Sequence, residues 1–254
     1  MMNENENRNE EIVEETEFKS VDTDEMTENE ILDEFVEELP QRELSSVSRF
    51  INTFIEPSKT MKDIIAKPTI LFPMIVIFMV ATFSAILTID LTREIMIQSF
   101  IDSGQMPSEY IINMSVYSVI GVAGVGTILV TLVSGIIIHG LSLLMQGRAT
   151  LKTTLSVMFH STYISLAGMF ILSFVQYTTN NIFITFSPAM LLAEDKLGSA
   201  THMLLASLDV FNIWYIVVAI IGISITHKIS KIKACVPVLL PTIVLIAITV
   251  FFAS

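Results

Sequence analysis

A single cysteine, Cys235, is all the chain holds, so no intrachain disulfide can form and no cysteine pair can bind a metal. Charge is scarce as well. Only 16% of the 254 residues are charged against 52% apolar, and the mean hydropathy is +0.66, which excludes a simple soluble domain. The usual catalytic signatures are missing: His-Glu-x-x-His, Gly-x-Ser-x-Gly and the phosphate-cradling Gly-x-x-x-x-Gly-Lys do not occur. No enzyme, cofactor or metal site is expected on that ground. The start, Met1-Met2-Asn3-Glu4, has neither the basic flank nor the apolar run of a secretory signal, so the first hydrophobic helix is expected to direct membrane insertion itself.

What charge there is lies unevenly. Residues 1–45 carry 17 of the 26 acids and only Arg8, Lys19 and Arg42 as basic residues, a net charge of −14. Residues 46–254 carry 11 basic and 9 acidic residues, net +2. Two unlike parts are joined. The tail, 1–45, is too poor in apolar groups to offset chain entropy and is expected to be largely disordered. One short element is expected within it, near 27–39. Thr27-Glu28-Asn29-Glu30 has capping-box spacing, and Ile31, Leu32, Phe35, Val36 and Leu39 share one helical face before Pro40. A helix this short is marginal alone in water. It is read either as a transient solvated helix or as a docking helix for a basic groove on a partner.

Residues 46–69 read as an amphipathic elbow. Val47, Phe50, Ile51, Phe54 and Ile55 form one stripe; beyond Pro57, Met61, Ile64 and Ile65 form another beside Lys59, Lys62 and Lys67. Such basic amphipathic pieces suit an anionic membrane surface, or packing under a bundle.

Residues 70–254 are expected to be an all-α, polytopic bundle of five transmembrane helices, at about 70–89, 116–145, 154–176, 210–227 and 235–253. Each approaches or exceeds the roughly 20 residues that cross a bilayer core, and helix is forced because an open sheet would leave backbone groups unpaired in lipid. Pro237 is expected to start the last span and Pro241 to kink it. The run Ile182–Ala193, broken by Pro188, is too short to span and is expected in the outer interface. The two short loops and the approach to the first span carry Lys59, Lys62, Lys67, Arg148, Lys152, Lys228, Lys231 and Lys233; the other two connections carry only Arg93 and Lys196. That asymmetry predicts a multi-pass cell-membrane protein, N-terminus cytoplasmic and C-terminus extracytoplasmic.

Two sets of residues inside the spans stand out. Ser118, Gly121, Gly124, Thr131, Ser134 and Gly135 on the second span, and Ser161, Ser165 and Gly168 on the third, make small, polar stripes that let helices approach. His139 and His160 are the candidate intramembrane polar site, in two antiparallel neighbours where the rings could face each other. Interhelical hydrogen bonding and a proton-linked role are both open for them. His227 and His202 read as interfacial, and Asp209 as the cap of the fourth span.

Pro57 and Thr60 followed by Lys67-Pro68, the stretch Leu208-Asp209-Val210-Phe211-Asn212-Ile213-Trp214, the pair Gly222-Ile223 and the basic run Lys228-Ile229-Ser230-Lys231-Ile232-Lys233-Ala234 together resemble the YIP family. The likeness runs from about Phe54 to the C-terminus. It implies five spans, a cytosolic N-terminus and a non-enzymatic membrane scaffold or accessory protein that binds another membrane protein. Eukaryotic members recruit small GTPases through a cytosolic Asp-Leu-Tyr-Gly-Pro signature that this chain lacks. The prokaryotic YknW-like branch, associated with ABC-type exporters that protect against toxic peptides, implies an exporter permease as partner. The alternative is a small transporter or channel with His139 and His160 in its path. The lipid bilayer is the other expected partner; nucleic acid is not.

Overall fold

The computed structural model describes residues 44–192 and 199–252. The chain divides into two units, Met1–Pro40 and Gln41–Ser254. The first, with the expected 27–39 helix and its residues Ile31, Leu32, Phe35, Val36 and Leu39, lies outside the described residues. The second is helical, with no strand among the described residues.

Two ten-residue helices come first, α1 (Ser46–Ile55) and α2 (Pro57–Ala66), joined at Glu56. Ser45 caps α1 by accepting from the Ser48 N–H, and Pro57 opens α2, where its missing N–H costs nothing. The elbow turns out to be divided. Met61 and Ile64 are wholly buried in the core, and Phe50 and Phe54 pack on a second core cluster around Tyr163. Val47, Ile51 and Ile55 of the same stripe stay exposed. The elbow therefore packs under the bundle along one side and offers an apolar edge on the other.

The first expected span ends early. Helix α3 (Leu71–Leu87) covers 17 residues, about 26 Å of helix, and the chain then bends by 62° into α4 (Ile89–Asp102). No helix was expected after residue 89. The apolar residues Leu91, Ile95, Ile97, Phe100 and Ile101 are spread around α4 and form no single stripe for periodicity to detect.

Helix α5 (Glu109–Leu144) is 36 residues, about 54 Å, and begins seven residues before the expected 116 because Ser108 accepts from the Ile111 N–H and caps it there. Helix α6 (Leu151–Thr179) also overruns its expected 154–176, capped by Thr150 and closed by Asn180 in the left-handed region. A 3₁₀ turn (Pro188–Leu191) and the short α7 (Ala200–Ala206) follow. Helix α8 (Val210–His227) keeps the expected bounds, and the Asp209 carboxylate accepts from the N–H groups of Phe211 and Asn212 at 2.9 and 3.1 Å. Helix α9 (Lys231–Phe252) starts four residues before the expected 235. Both prolines are thus interior, and Pro237 does not open the helix.

Four helices are long and apolar enough to cross a membrane, α5, α6, α8 and α9, or five if bent α3–α4 is one broken span. Helix α6 is the hub. It packs on α1, α2, α3, α5 and α8, and every residue from Thr153 to Ile164 is buried all round. The other spans bury one face and turn large apolar side chains outward, as helices in lipid do.

Candidate functional site

The buried half of α6 is polar on several sides. Thr153, Thr154, Ser156, His160, Ser161 and Thr162 are all buried there, where an unpaired polar group is costly, and all but Ser161 have a hydrogen-bond partner among the described residues. They organise two networks.

The first joins three helices through one hydroxyl. Thr154 Oγ1 lies 2.9 Å from His139 Nδ1 on α5 and 2.8 Å from His227 Nε2 on α8, and the two imidazoles sit with centroids 5.7 Å apart. The same hydroxyl reaches the Thr150 carbonyl at 3.2 Å. A hydroxyl has one proton and two lone pairs. If that proton goes to the Thr150 carbonyl, both imidazoles donate to Thr154, which fixes His139 as the Nδ1–H and His227 as the Nε2–H tautomer. His227 Nδ1 is then a bare acceptor, and it has no hydrogen-bond partner among the described residues. The α5–α6 turn closes over it. Gly147 donates to the Ser142 carbonyl and the Arg148 N–H to the His227 carbonyl. A Cβ on Gly147 would stand 2.3 Å from His227 Nδ1, so only glycine fits against the ring. Thr154→Val keeps the shape and removes both imidazole partners. It is expected to cost about 1–3 kcal/mol, since side-chain hydrogen bonds between membrane helices average about 0.6 kcal/mol and orphaned polar groups cost more. Thermal unfolding in detergent measures it.

The second network ties the elbow to α6. Arg49, 2% exposed, donates from Nε to Asp63 Oδ2 at 2.5 Å and from Nη1 to the Lys67 carbonyl and Thr69 Oγ1, both at 2.8 Å. Asp63 also accepts from the Leu44 N–H. Ser156 of α6 then holds Thr69 from both sides: its hydroxyl donates to the Thr69 carbonyl at 2.8 Å and accepts from the Thr69 N–H at 3.2 Å. His160 lies next along α6, donating from Nδ1 to the Ser156 carbonyl at 2.7 Å and meeting Tyr163 edge-on.

His139 and His160 are therefore not partners. His139 meets His227, and His160 belongs with the elbow network. His227 went unrecognised because a histidine at a span end reads as interfacial, and only the packing of α8 on α6 brings it to Thr154. The Arg49–Asp63 pair carried no sequence signal, because it bridges a turn that periodicity does not describe.

The small stripes also divide. Gly124 lies against Phe78 and Thr82 of α3, Gly135 against Leu155 and Met158 of α6, and Gly168 against Phe211 of α8. Thr131 comes within 3.4 Å of Thr162, and Ser134 and Ser165 border a cleft between α5, α6, α8 and α9. Ser161 is buried, its hydroxyl without a partner among the described residues. Ser118 and Gly121 face outward, and nothing lies within 4 Å of a Cβ placed on Gly121. Among the described residues no group of three or more His, Cys, Asp or Glu could hold a metal ion.

One family model, the Yip1 domain, matches residues 51–253. No curated protein and no solved structure matches the chain.

Proposed function

The chain belongs to the Yip1 family, and from that premise, for a multi-pass membrane protein, we propose a non-enzymatic scaffold or accessory role: it binds another membrane protein. One observation carries this reading. Met114, Ser118, Gly121, Val125 and Leu129 recur along α5 at steps of three and four residues, and all five are exposed. Lipid tails ask for no glycine. A bare Gly121 in the middle of an outward seam suits the close approach of a further helix.

The acidic tail adds a second handle. Its 27–39 segment, with Ile31, Leu32, Phe35, Val36 and Leu39 on one face and acids around them, suits a basic groove on the same partner. The resemblance to exporter-associated relatives makes an ABC-type exporter permease the partner class. Counting α3–α4 as one broken span makes five, an odd number that favours termini on opposite sides, and the clustering of Lys59, Lys62, Arg148, Lys152, Lys231 and Lys233 at one end of the bundle supports a cytoplasmic N-terminus in the cell membrane. The Thr154 hydroxyl with its two imidazoles is read as a link between helices, its proton turned to the Thr150 carbonyl.

A photocrosslinking residue placed at Val125 is expected to capture a membrane polypeptide in native membranes, and Gly121→Leu to abolish the adduct while leaving the fold intact. The same probe at Ile243, exposed on α9, serves as the lipid-facing control. Adducts to lipid alone from Val125 would remove the reading.

A further inference from the structure

A cleft between α5, α6, α8 and α9 is left unexplained by the networks above. Its volume is about 600 Å³. Along α5 its lining runs from Val122 to Ile138, sixteen residue steps apart, so it extends for about 24 Å, most of a bilayer core. Dividing volume by length gives a mean cross-section of about 25 Å², whereas a helix about 10 Å across needs ~80 Å². A transmembrane helix does not fit. A single extended hydrocarbon chain does.

The lining agrees with that occupant. The hydroxyls of Thr127, Thr131, Thr162 and Thr242 face the cleft, but each donates to the carbonyl four residues earlier on its own helix. Their protons are spent within the helices, and methyls and lone pairs remain. With Val130, Ile138, Val238 and Leu245 between them, these threonines need no acceptor from a ligand. The cleft ends at the basic end of the bundle. Val238 lies five residues, about 7.5 Å of helix, beyond Lys233, whose ammonium donates to Gln146 Oε1 at 3.3 Å across the α5–α9 gap. Lys231 is exposed beside it. A chain in the cleft would bring its headgroup to these cations, and an anionic phosphate there is favoured over a neutral headgroup.

We propose that this cleft is a binding site for one acyl chain of an anionic phospholipid, whose phosphate rests by Lys231 and Lys233. The site is separate from the α5 seam offered to a protein partner, and neither depends on the other.

The test is native mass spectrometry of the purified chain, delipidated and then exposed to phosphatidylglycerol or to phosphatidylcholine of the same chain length. One tightly retained phosphatidylglycerol per chain is expected, with phosphatidylcholine retained weakly. Ser134→Leu and Ser165→Leu, made separately to fill the cleft, should each lose the retained lipid. Val133→Leu, on the exposed face of α5, should keep it. Lys231→Ala with Lys233→Ala should erase the preference between headgroups. For the unaltered chain, a phosphatidylglycerol with a photoreactive acyl chain should label the buried lining residues Thr131, Ile138 or Val238. Labelling confined to the outward faces of the helices, or equal retention in filled and unfilled variants, would overturn the proposal, as would a retained polypeptide in place of lipid.

Discussion

Arg49→Met is expected to cost the membrane domain about 3–5 kcal/mol. Methionine fills most of the space, so the loss comes from what arginine leaves behind. Asp63, whose side chain is 11% exposed, would be left with the Leu44 N–H as its remaining donor among the described residues. The Lys67 carbonyl and the Thr69 hydroxyl would lose their donor, and with them the link that Ser156 continues into α6. Arg49→Lys should recover only part of this. A lysine ammonium supplies charge but not the flat fork that reaches three acceptors lying in different directions. Arg49→Met together with Asp63→Leu should be markedly milder than Arg49→Met alone, because a buried pair removed whole leaves no orphan charge. Thermal unfolding in detergent, followed by helical circular dichroism, ranks the four proteins. A double variant no better than the single would mean that the pair does not hold the elbow.

The second large effect belongs to Gly222. This residue of α8 touches the elbow and α6 at once: a Cβ there would stand 2.5 Å from Val157 Cγ1 and 2.9 Å from Met61 Sδ. Val157 and Met61 are both wholly buried, so neither side chain has free space to retreat into. Gly222→Ala should therefore force α2 and α6 away from α8 and destabilise by about 1–3 kcal/mol, with Gly222→Leu failing to fold. Gly121→Ala is the contrast. With nothing within 4 Å it should lie within about 0.5 kcal/mol of the unaltered protein. The same substitution on two span glycines then separates a seam already filled by the chain from one that is empty. Comparable losses at both positions would contradict this assignment of the small residues.

How much of this was legible in the sequence depends on whether a feature is one-dimensional. The four long spans are, because twenty apolar residues in lipid have no alternative to helix, and Asp209 marks the start of α8 as a local carboxylate can. The overruns of α5 and α6 come from Ser108 and Thr150, caps that sit beyond the apolar runs and so beyond what hydropathy detects. The bend after Leu87 was not legible, since α4 mixes Asp90, Arg93 and Glu94 with apolar residues on every side.

The site divides in the same way. The small residues stand out in sequence, but which of them face a neighbour is decided by helix rotation: Gly124, Gly135 and Gly168 turn inward and Gly121 outward. His139 and His160 stand out as polar residues in apolar helices, yet their partners do not. One is bound to Thr154 and, through it, to His227; the other to the Ser156 carbonyl. Only the central place of α6, which collects contacts from five other helices, sets those pairings.

The role as a membrane-protein accessory is tested most directly by purifying the full chain at native expression from its own membranes in mild detergent and weighing the intact complex. The account expects a second integral membrane polypeptide in stoichiometric amount, lost on Gly121→Leu while the chain itself remains folded. A chain recovered alone, or a companion whose amount is indifferent to Gly121→Leu, would contradict it.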